Sequence, residues 1–409
     1  MKTVGIIAEY NPFHNGHAYH IQAAKEAAGA DFCVVAMSGD FVQRGEPAVF
    51  SKYARSRAAL ACGADLVLEL PNVFATASAE DFAACGVALL SKIGVVDALC
   101  FGSECGQIEV LFQAAHALVS GGESYEQAIR EGLKEGLTWP QARIRAADIC
   151  QIMENDALNA LQTPNNLLGI EYCKAILRQE SALIPITIKR EGDGYHDEEL
   201  SFGNFPSATA IRRALSHSMA EEALADFVPK AALEAFSGEK PLFAEDFSAL
   251  LNYALLNRAK EGTLACVEGM SPWLENRLSS LLLANEGWEG RIRQLKTRQY
   301  TYTRISRMLS HALLGIDAQM VSAARAEGFA PYARILGFRK SAAPLLSQMK
   351  EQSKISLITK TARADQTLSP VAANLLRQDF FAAHLRQSVY FSRYGIQVKN
   401  EFTQPMVIL

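Results

Sequence analysis

Short apolar runs and longer amphipathic stretches alternate along the first half of the chain. Val4-Gly5-Ile6-Ile7-Ala8, Phe32 to Met37, Ala64 to Leu70, Ala98 to Phe101 and Leu183 to Arg190 are brief and rich in β-branched or aromatic residues. Runs of this kind suit strands buried on both faces. Between them, apolar positions recur at helical spacing from His17 to Ala28, from about Ser51 onward, and from about Ala79 to Ile93. Gly29 supplies a C-terminal stop for the first of these helices. The alternation predicts an α/β fold, a parallel sheet wound on both faces by helices. Residues 107–160 look helical and are long for one crossover, so they are expected to be helices inserted in the same unit. Beyond about 235 the pattern changes, and Phe243 to Leu314 reads as nearly all helical. Ile355 to Ile358 and Gln397 to Lys399 are expected to form a small strand pair. The division that follows is a first domain over residues 1–235 and a mainly helical one over 236–409.

The composition leaves ample core: 49% of 409 residues are hydrophobic, enough for two domains or more. No apolar run is long enough to span a bilayer, and the chain enters a strand without a basic-then-apolar leader, so a cytoplasmic protein without a membrane is expected. The eight cysteines form no C-x-x-C pair and read as reduced core thiols. The net charge of −4 hides an asymmetry. Residues 241–409 hold 21 Lys+Arg against 13 Asp+Glu, whereas residues 1–240 hold 19 against 31 by subtraction from the totals of 40 and 44. A basic C-terminal part beside an acidic N-terminal part fits a polyanionic partner, or uneven surface charge without function.

Candidate chemistry clusters where strands are expected to end. After the first strand, Asn11-Pro12 breaks the extended run and His14-Asn15-Gly16-His17 opens a helix. Carboxyl ends of strands in open α/β sheets are where ligands bind. Two imidazoles around a glycine at a helix start can approach a polyphosphate, helped by free N–H groups and the helix dipole. In that reading His14 and His17 stabilise charge that builds during attack at an α-phosphorus. A structural histidine turn and a metal pair are the alternatives, although no further ligand lies at metal spacing.

The second strand delivers Asp40, a candidate for holding nucleotide-bound Mg²⁺ through water or for orienting a substrate group. Arg44 and Lys52 are candidates for phosphate or carboxylate contact, while Arg55 and Arg57 read as a solvated helix face. Gly102 ends the fourth strand and permits close approach of a base or ribose. Asn165 begins a helix, and Arg190 ends the fifth strand. Ser207-Ala208-Thr209-Ala210-Ile211-Arg212 reads as a second anion site, with Ser207 as a cap, Thr209 in the first turn and Arg212 one turn on. In the helical part, residues 291–307 carry Arg291, Arg293, Lys296, Arg298, Arg304 and Arg307 with Tyr300 and Tyr302 and no acid. Such a stretch suits RNA phosphates and unpaired bases, or else a solvated basic face.

These strings resemble known ones. H-N-G-H resembles the HIGH signature of nucleotidyltransferases, and S-A-T-A-I-R resembles the second signature of small adenylyltransferases. E-Y-N-P-F-H-N-G-H, S-G-D-F-V-Q-R-G-E-P, D-L-V-L-E-L-P and F-G-S-E are similar to stretches of the bacterial tRNA(Met) cytidine acetate ligase family. The resemblance implies a Rossmann-like HIGH-type domain followed by a helical tRNA-binding one. It implies activation of acetate by ATP, with Mg²⁺, to acetyl-adenylate and pyrophosphate, then acetyl transfer to N4 of the wobble cytidine of elongator tRNA(Met). His14, His17 and Arg212 would be the catalytic residues. ATP would be bound by Ile7, Ala8, Glu9, Tyr10, Asn11, Pro12 and Phe13, then by His14, Asn15, Gly16, His17 and His20. Asp40, Gly102, Asn165, Arg190, Ser207 and Thr209 complete the expected nucleotide set, with no protein-bound metal. Two rivals remain at this level: a cofactor-synthesis adenylyltransferase acting on a phosphomonoester, and an RNA-binding module with a vestigial nucleotide fold.

Overall fold

The computed structural model describes residues 1–190, 207–216, 224–284 and 286–409. Gly192 to His196, which the sequence suggests form a loop, lie outside the described residues. The five expected strands all form: β1 Thr3–Ala8, β2 Phe32–Ser38, β3 Leu66–Leu70, β4 Ala98–Ser103 and β5 Ile184–Lys189. Three more come from the C-terminal half: β6 Tyr332–Phe338, β7 Ser356–Ile358 and β8 Val407–Ile408. Together they make one sheet in the order β8-β6-β3-β2-β1-β4-β5, with β7 also pairing with β6. All pairings are parallel except β3 with β6.

Strands β3-β2-β1-β4-β5 form the doubly wound part, and the order reverses between β1 and β4. The apolar side chains of these strands divide into two cores, one on each face. Ile7, Val34, Leu66 and Leu99 belong to one, and Val4, Ile6, Cys33, Val35 and Cys100 to the other. This two-sided burial is why β1 to β4 read as continuous apolar runs, whereas β5, expected to be buried likewise, lies at the sheet edge and is only partly covered. The Ala79–Lys92 helix lies close on β1 because Gly86 has no side chain: a Cβ there would meet Ile7 Cδ1 at 2.4 Å. Residues 108–160 fold as four helices beside the sheet, beginning with Ile108–Ser120. The eight cysteines are free thiols, most of them buried or partly buried.

The helical run expected after Phe243 is present up to Leu314, with no strand among its described residues. The chain then returns to the sheet, which the periodicity did not predict. Ser356–Ile358 is a strand, but its partner is β6, and Gln397–Lys399 forms none; the last sheet element is β8.

A buried charge cluster explains why β6 can sit beside β3. Lys52 Nζ meets Glu401 at 2.6 Å, Glu69 at 2.8 Å and Asp40 at 3.6 Å. Arg334, in the middle of β6, meets Glu69 at 2.9 Å and also pairs with Glu401. Arg386 approaches Asp40 at 3.8 Å. Three cations therefore face three carboxylates, and each of these side chains is almost wholly buried. Asp40, Lys52 and Glu69 lie before residue 235 and Arg334, Arg386 and Glu401 after it, so the cluster joins the two halves of the sequence.

Candidate active site

The site forms at the reversal of strand order, where the ends of β1 and β4 diverge. Tyr10 takes a positive φ of 51°, which turns the chain sharply out of β1. Helix α1 then runs Asn15–Ala28, two residues earlier than the sequence suggests, because a histidine serves as its cap. His14 Nδ1 accepts the Gly16 N–H at 3.1 Å, and His17 Nδ1 accepts the His14 N–H at 3.2 Å. A ring nitrogen that accepts a backbone N–H carries no proton, so each neutral ring is the Nε2–H tautomer. The two rings lie 3.7 Å apart between centroids. The arrangement thus presents two Nε2–H donors at a helix start whose own first N–H groups, expected from the sequence to be free for phosphate, are taken by the Phe227 carbonyl (Asn15), the His14 ring (Gly16) and the His14 carbonyl (His17).

A cavity of about 290 Å³ lies over this turn. On one side it is lined by Ile7, Ala8, Glu9, Tyr10, Asn11, His14, Gly16, His17 and His20. Gly102, Asn165, Arg190, Ser207, Thr209 and Arg212 close it from β4, β5 and two helices. Arg212, in the Ala208–Ser216 helix, donates to the Asn11 carbonyl at 2.8 Å and to Thr209 Oγ1 at 3.2 Å, which brings the second signature onto the first. Ser207 Oγ caps its helix by accepting the Ala210 N–H at 3.1 Å. Gly102 also makes room for Arg190, since a Cβ there would stand 3.1 Å from Arg190 Cγ. Asn165 is held by Glu104, which accepts both its backbone N–H at 3.0 Å and its side-chain amide at 2.7 Å. Burial alone would raise the Glu104 pKa, but these bonds and one from the Asn166 N–H hold it below the usual range.

Four expected nucleotide contacts fall elsewhere. Pro12 and Phe13 are buried behind the turn, where the Phe13 ring packs on Tyr10 at 4.8 Å between centroids. Asn15 points to the far side of the helix start, donating to the Asp226 carbonyl at 2.9 Å. Asp40 is in the buried charge cluster, and so is Lys52. No group of three metal-ligating side chains occurs among the described residues. With Asp40 engaged by Lys52, these residues do not fit a protein-held Mg²⁺. Arg55, read as solvated, is buried, and donates to the carbonyls of Phe50, Glu9, Ser38 and Gly39, tying the ends of β1 and β2 together. Arg57 is exposed and Arg44 lines the cavity.

The sequence reading missed an apolar wall of Phe82, Phe101, Leu168 and Tyr172. Two signals were available. Phe101 directly precedes Gly102 at a strand end, and Tyr172 stands two turns after Asn165 on one helix face.

Burial keeps the histidines neutral. It lowers the His14 pKa to about 3, aided by Arg190 and Arg212, and that of His20 to about 4, aided by Arg190. His17 is also held well below its ordinary value, by burial first and then by its neighbours His14, Arg190 and His20. The unfolded chain therefore takes up protons below about pH 6.5 that the folded site refuses. Their contribution to stability is full above that pH and is lost as pH falls toward 4. Denaturant titrations of the ligand-free protein are expected to show stability falling between pH 6.5 and 5, by about 1.4 kcal/mol per pH unit for each proton withheld. His20→Asn should reduce that slope; an unchanged slope contradicts the assignment.

Comparison with known proteins agrees with this geometry. A profile of the HIGH nucleotidyl transferase family matches residues 1–401. The tRNA(Met) cytidine acetate ligase of Acetivibrio thermocellus is 39% identical, with 100% of both chains covered. That of Caldanaerobacter subterraneus subsp. tengcongensis is 35% identical over the same full extent. The crystal structure of apo Thermotoga maritima TmcAL superposes with a TM-score of 0.93 at 31% identity, covering 100% of both chains. The same protein bound with alpha-thio ATP gives 0.90 at 30% identity, again over 100% of both. By profile, by identity and by fold, the chain belongs to the HIGH nucleotidyltransferase family and, within it, to the tRNA(Met) cytidine acetate ligases.

Proposed function

We propose that this protein activates acetate with ATP and passes the acetyl group to N4 of the wobble cytidine of elongator tRNA(Met). The observation that carries the chemistry is the pair of neutral Nε2–H donors that the double cap sets at the helix start. Attack by an acetate oxygen on the α-phosphorus breaks the bond to the bridging oxygen of the β-phosphate. Acetyl-adenylate forms and pyrophosphate leaves. His14 and His17 donate to the α-phosphate as negative charge builds, where fixed donors are worth most. Arg212 and Arg190 hold the departing pyrophosphate. The cytidine amine then attacks the acetyl carbonyl carbon, AMP departs and the amine loses a proton. No covalent enzyme intermediate is required.

Residues 1–235 carry this chemistry in the proposal, and residues 236–409 supply tRNA contacts. Among the basic residues at 291–307, Arg291 serves another purpose: it is buried and donates to Asn252 and to the Leu281 and Leu282 carbonyls. Arg293, Lys296 and Arg298 are exposed and are the phosphate candidates. Among the described residues no helix is long and apolar enough to cross a membrane, consistent with work on tRNA in the cytoplasm.

The test is exchange of radiolabelled pyrophosphate into ATP. Exchange is expected to depend on acetate and to respond little to propionate or a nucleoside monophosphate. Exchange that ignores acetate but responds to a phosphomonoester would hand the site to cofactor-type adenylyl transfer.

A further inference from the structure

Away from the cavity, three side chains in the helical part form a stack, with Trp273 and Arg304 exposed and Tyr300 half-buried. Trp273, in the first turn of the Pro272–Leu281 helix, is 43% exposed, which is unusual for so large an apolar ring. It lies nearly parallel to Tyr300, with centroids 5.0 Å apart and planes 9° from one another. The guanidinium carbon of Arg304 lies 4.6 Å from the centroid of the same tyrosine ring. The stack is fixed before any ligand arrives. Ser271 Oγ bonds the Tyr300 hydroxyl at 2.7 Å, and Gln299 anchors the loop to the Leu133 carbonyl at 3.4 Å. Tyr302, the other ring in the basic stretch, is half-buried and its hydroxyl is engaged by Glu46 and Glu289, so it takes no part.

The surroundings are cationic. Arg277 is exposed on the same helix as Trp273, and the chain from Arg293 through Lys296 to Arg298 leads to Tyr300. Nearby acids are mostly turned to internal work: Glu289 binds Tyr302, and Glu286 accepts from Gln294 at 3.3 Å. Glu275 remains half-exposed on the Trp273 helix. A rigid aromatic surface among cations matches a ligand that offers both a flat π-face and phosphate.

We infer that Trp273, Tyr300 and Arg304 form a stacking platform for an unpaired base of the RNA substrate, with Arg293, Lys296 and Arg298 on the adjoining phosphates. The inference rests on the tRNA reading above. Stacking on a pre-set ring needs no ordering of the protein and tolerates any base, because every base has a π-face. The platform therefore supplies affinity, and base identity is read elsewhere.

Affinity for unmodified elongator tRNA(Met) transcript, measured by filter binding, tests this. Trp273→Ala is expected to weaken binding about tenfold, and Arg304→Gln severalfold, whereas Trp273→Phe keeps a ring and stays near wild type. Acetate-dependent pyrophosphate exchange should be unchanged in all three, which also shows that they fold. Wild-type affinity in both Trp273→Ala and Arg304→Gln overturns the platform while leaving the tRNA reading intact. Equal losses in the Ala and Phe variants overturn stacking as the cause. A wild-type protein that binds no tRNA overturns the underlying reading itself.

Discussion

Replacing His17 by asparagine will lower acetate-dependent pyrophosphate exchange by about 10²–10³-fold and leave the fold in place. The choice of asparagine separates the two jobs of this residue. His17 Nδ1 accepts the His14 N–H, and loss of a cap bond costs about 1 kcal/mol. An asparagine oxygen can keep that bond, but the shorter side chain has no counterpart of the Nε2–H. His17→Ala loses both and should show the same kinetic defect with a slightly lower melting temperature. Because the donor is proposed to act on charge that exists only in the transition state, kcat should fall much more than ATP affinity. Near-normal exchange by His17→Asn would mean that the imidazole serves the cap alone.

The second large effect concerns stability. Glu401→Gln is expected to cost about 3–5 kcal/mol, a large part of the 5–15 kcal/mol available to an ordinary domain. The six-membered cluster of Lys52, Arg334, Arg386, Asp40, Glu69 and Glu401 is neutral as found. Removing one carboxylate leaves a net positive charge buried away from solvent. Burial by itself would raise the Glu401 pKa, yet Lys52 and Arg334 hold it down to about 2, so it stays ionised at ordinary pH. Restoring neutrality should restore stability: the double substitution Lys52→Met with Glu401→Leu should recover most of the loss, since apolar replacements of a buried pair are often neutral. Urea denaturation of the two variants measures both halves. A Glu401→Gln variant within 1 kcal/mol of wild type, on an order-of-magnitude scale, would contradict the argument.

The same cluster marks the boundary of what the sequence made legible. Strands β1 to β4 announce themselves because each is buried on both faces, so local apolar content is a sufficient signal; β5, a half-exposed edge strand, is legible from its alternating isoleucines. H-N-G-H and S-A-T-A-I-R are legible too, since each is a turn or helix start whose chemistry is local. Tyr332-Ala333-Arg334-Ile335-Leu336-Gly337-Phe338 is different: an arginine at its centre argues against a buried strand until Glu69 and Glu401 are seen beside it. Lys52, a candidate for phosphate or carboxylate contact, Arg291, a candidate for RNA phosphate or a solvated face, and Arg55, read as solvated, are hard to place for the same reason. Each basic side chain is satisfied by groups distant in sequence, which periodicity cannot show. The Phe82 and Tyr172 wall was hidden otherwise, because apolar residues on crossover helices read equally as core or as pocket lining.

The position of Glu401, 67 residues after Arg334 and much later than Lys52, bears on how the protein is made. During synthesis on the ribosome, β1 to β5 emerge long before Glu401, with Lys52 present but one of its carboxylates still unmade. Strand β6 reaches the surface of the ribosome with Arg334 in the same condition, and β8 has yet to be translated. The nascent chain can gather its first strands and the histidine turn early, but the far edge of the sheet must wait for residues 401–408. A nonsense fragment ending before residue 401 would hold every residue that lines the nucleotide cavity and would still carry two buried cations without their shared carboxylate. Such fragments are natural clients for chaperones and proteases.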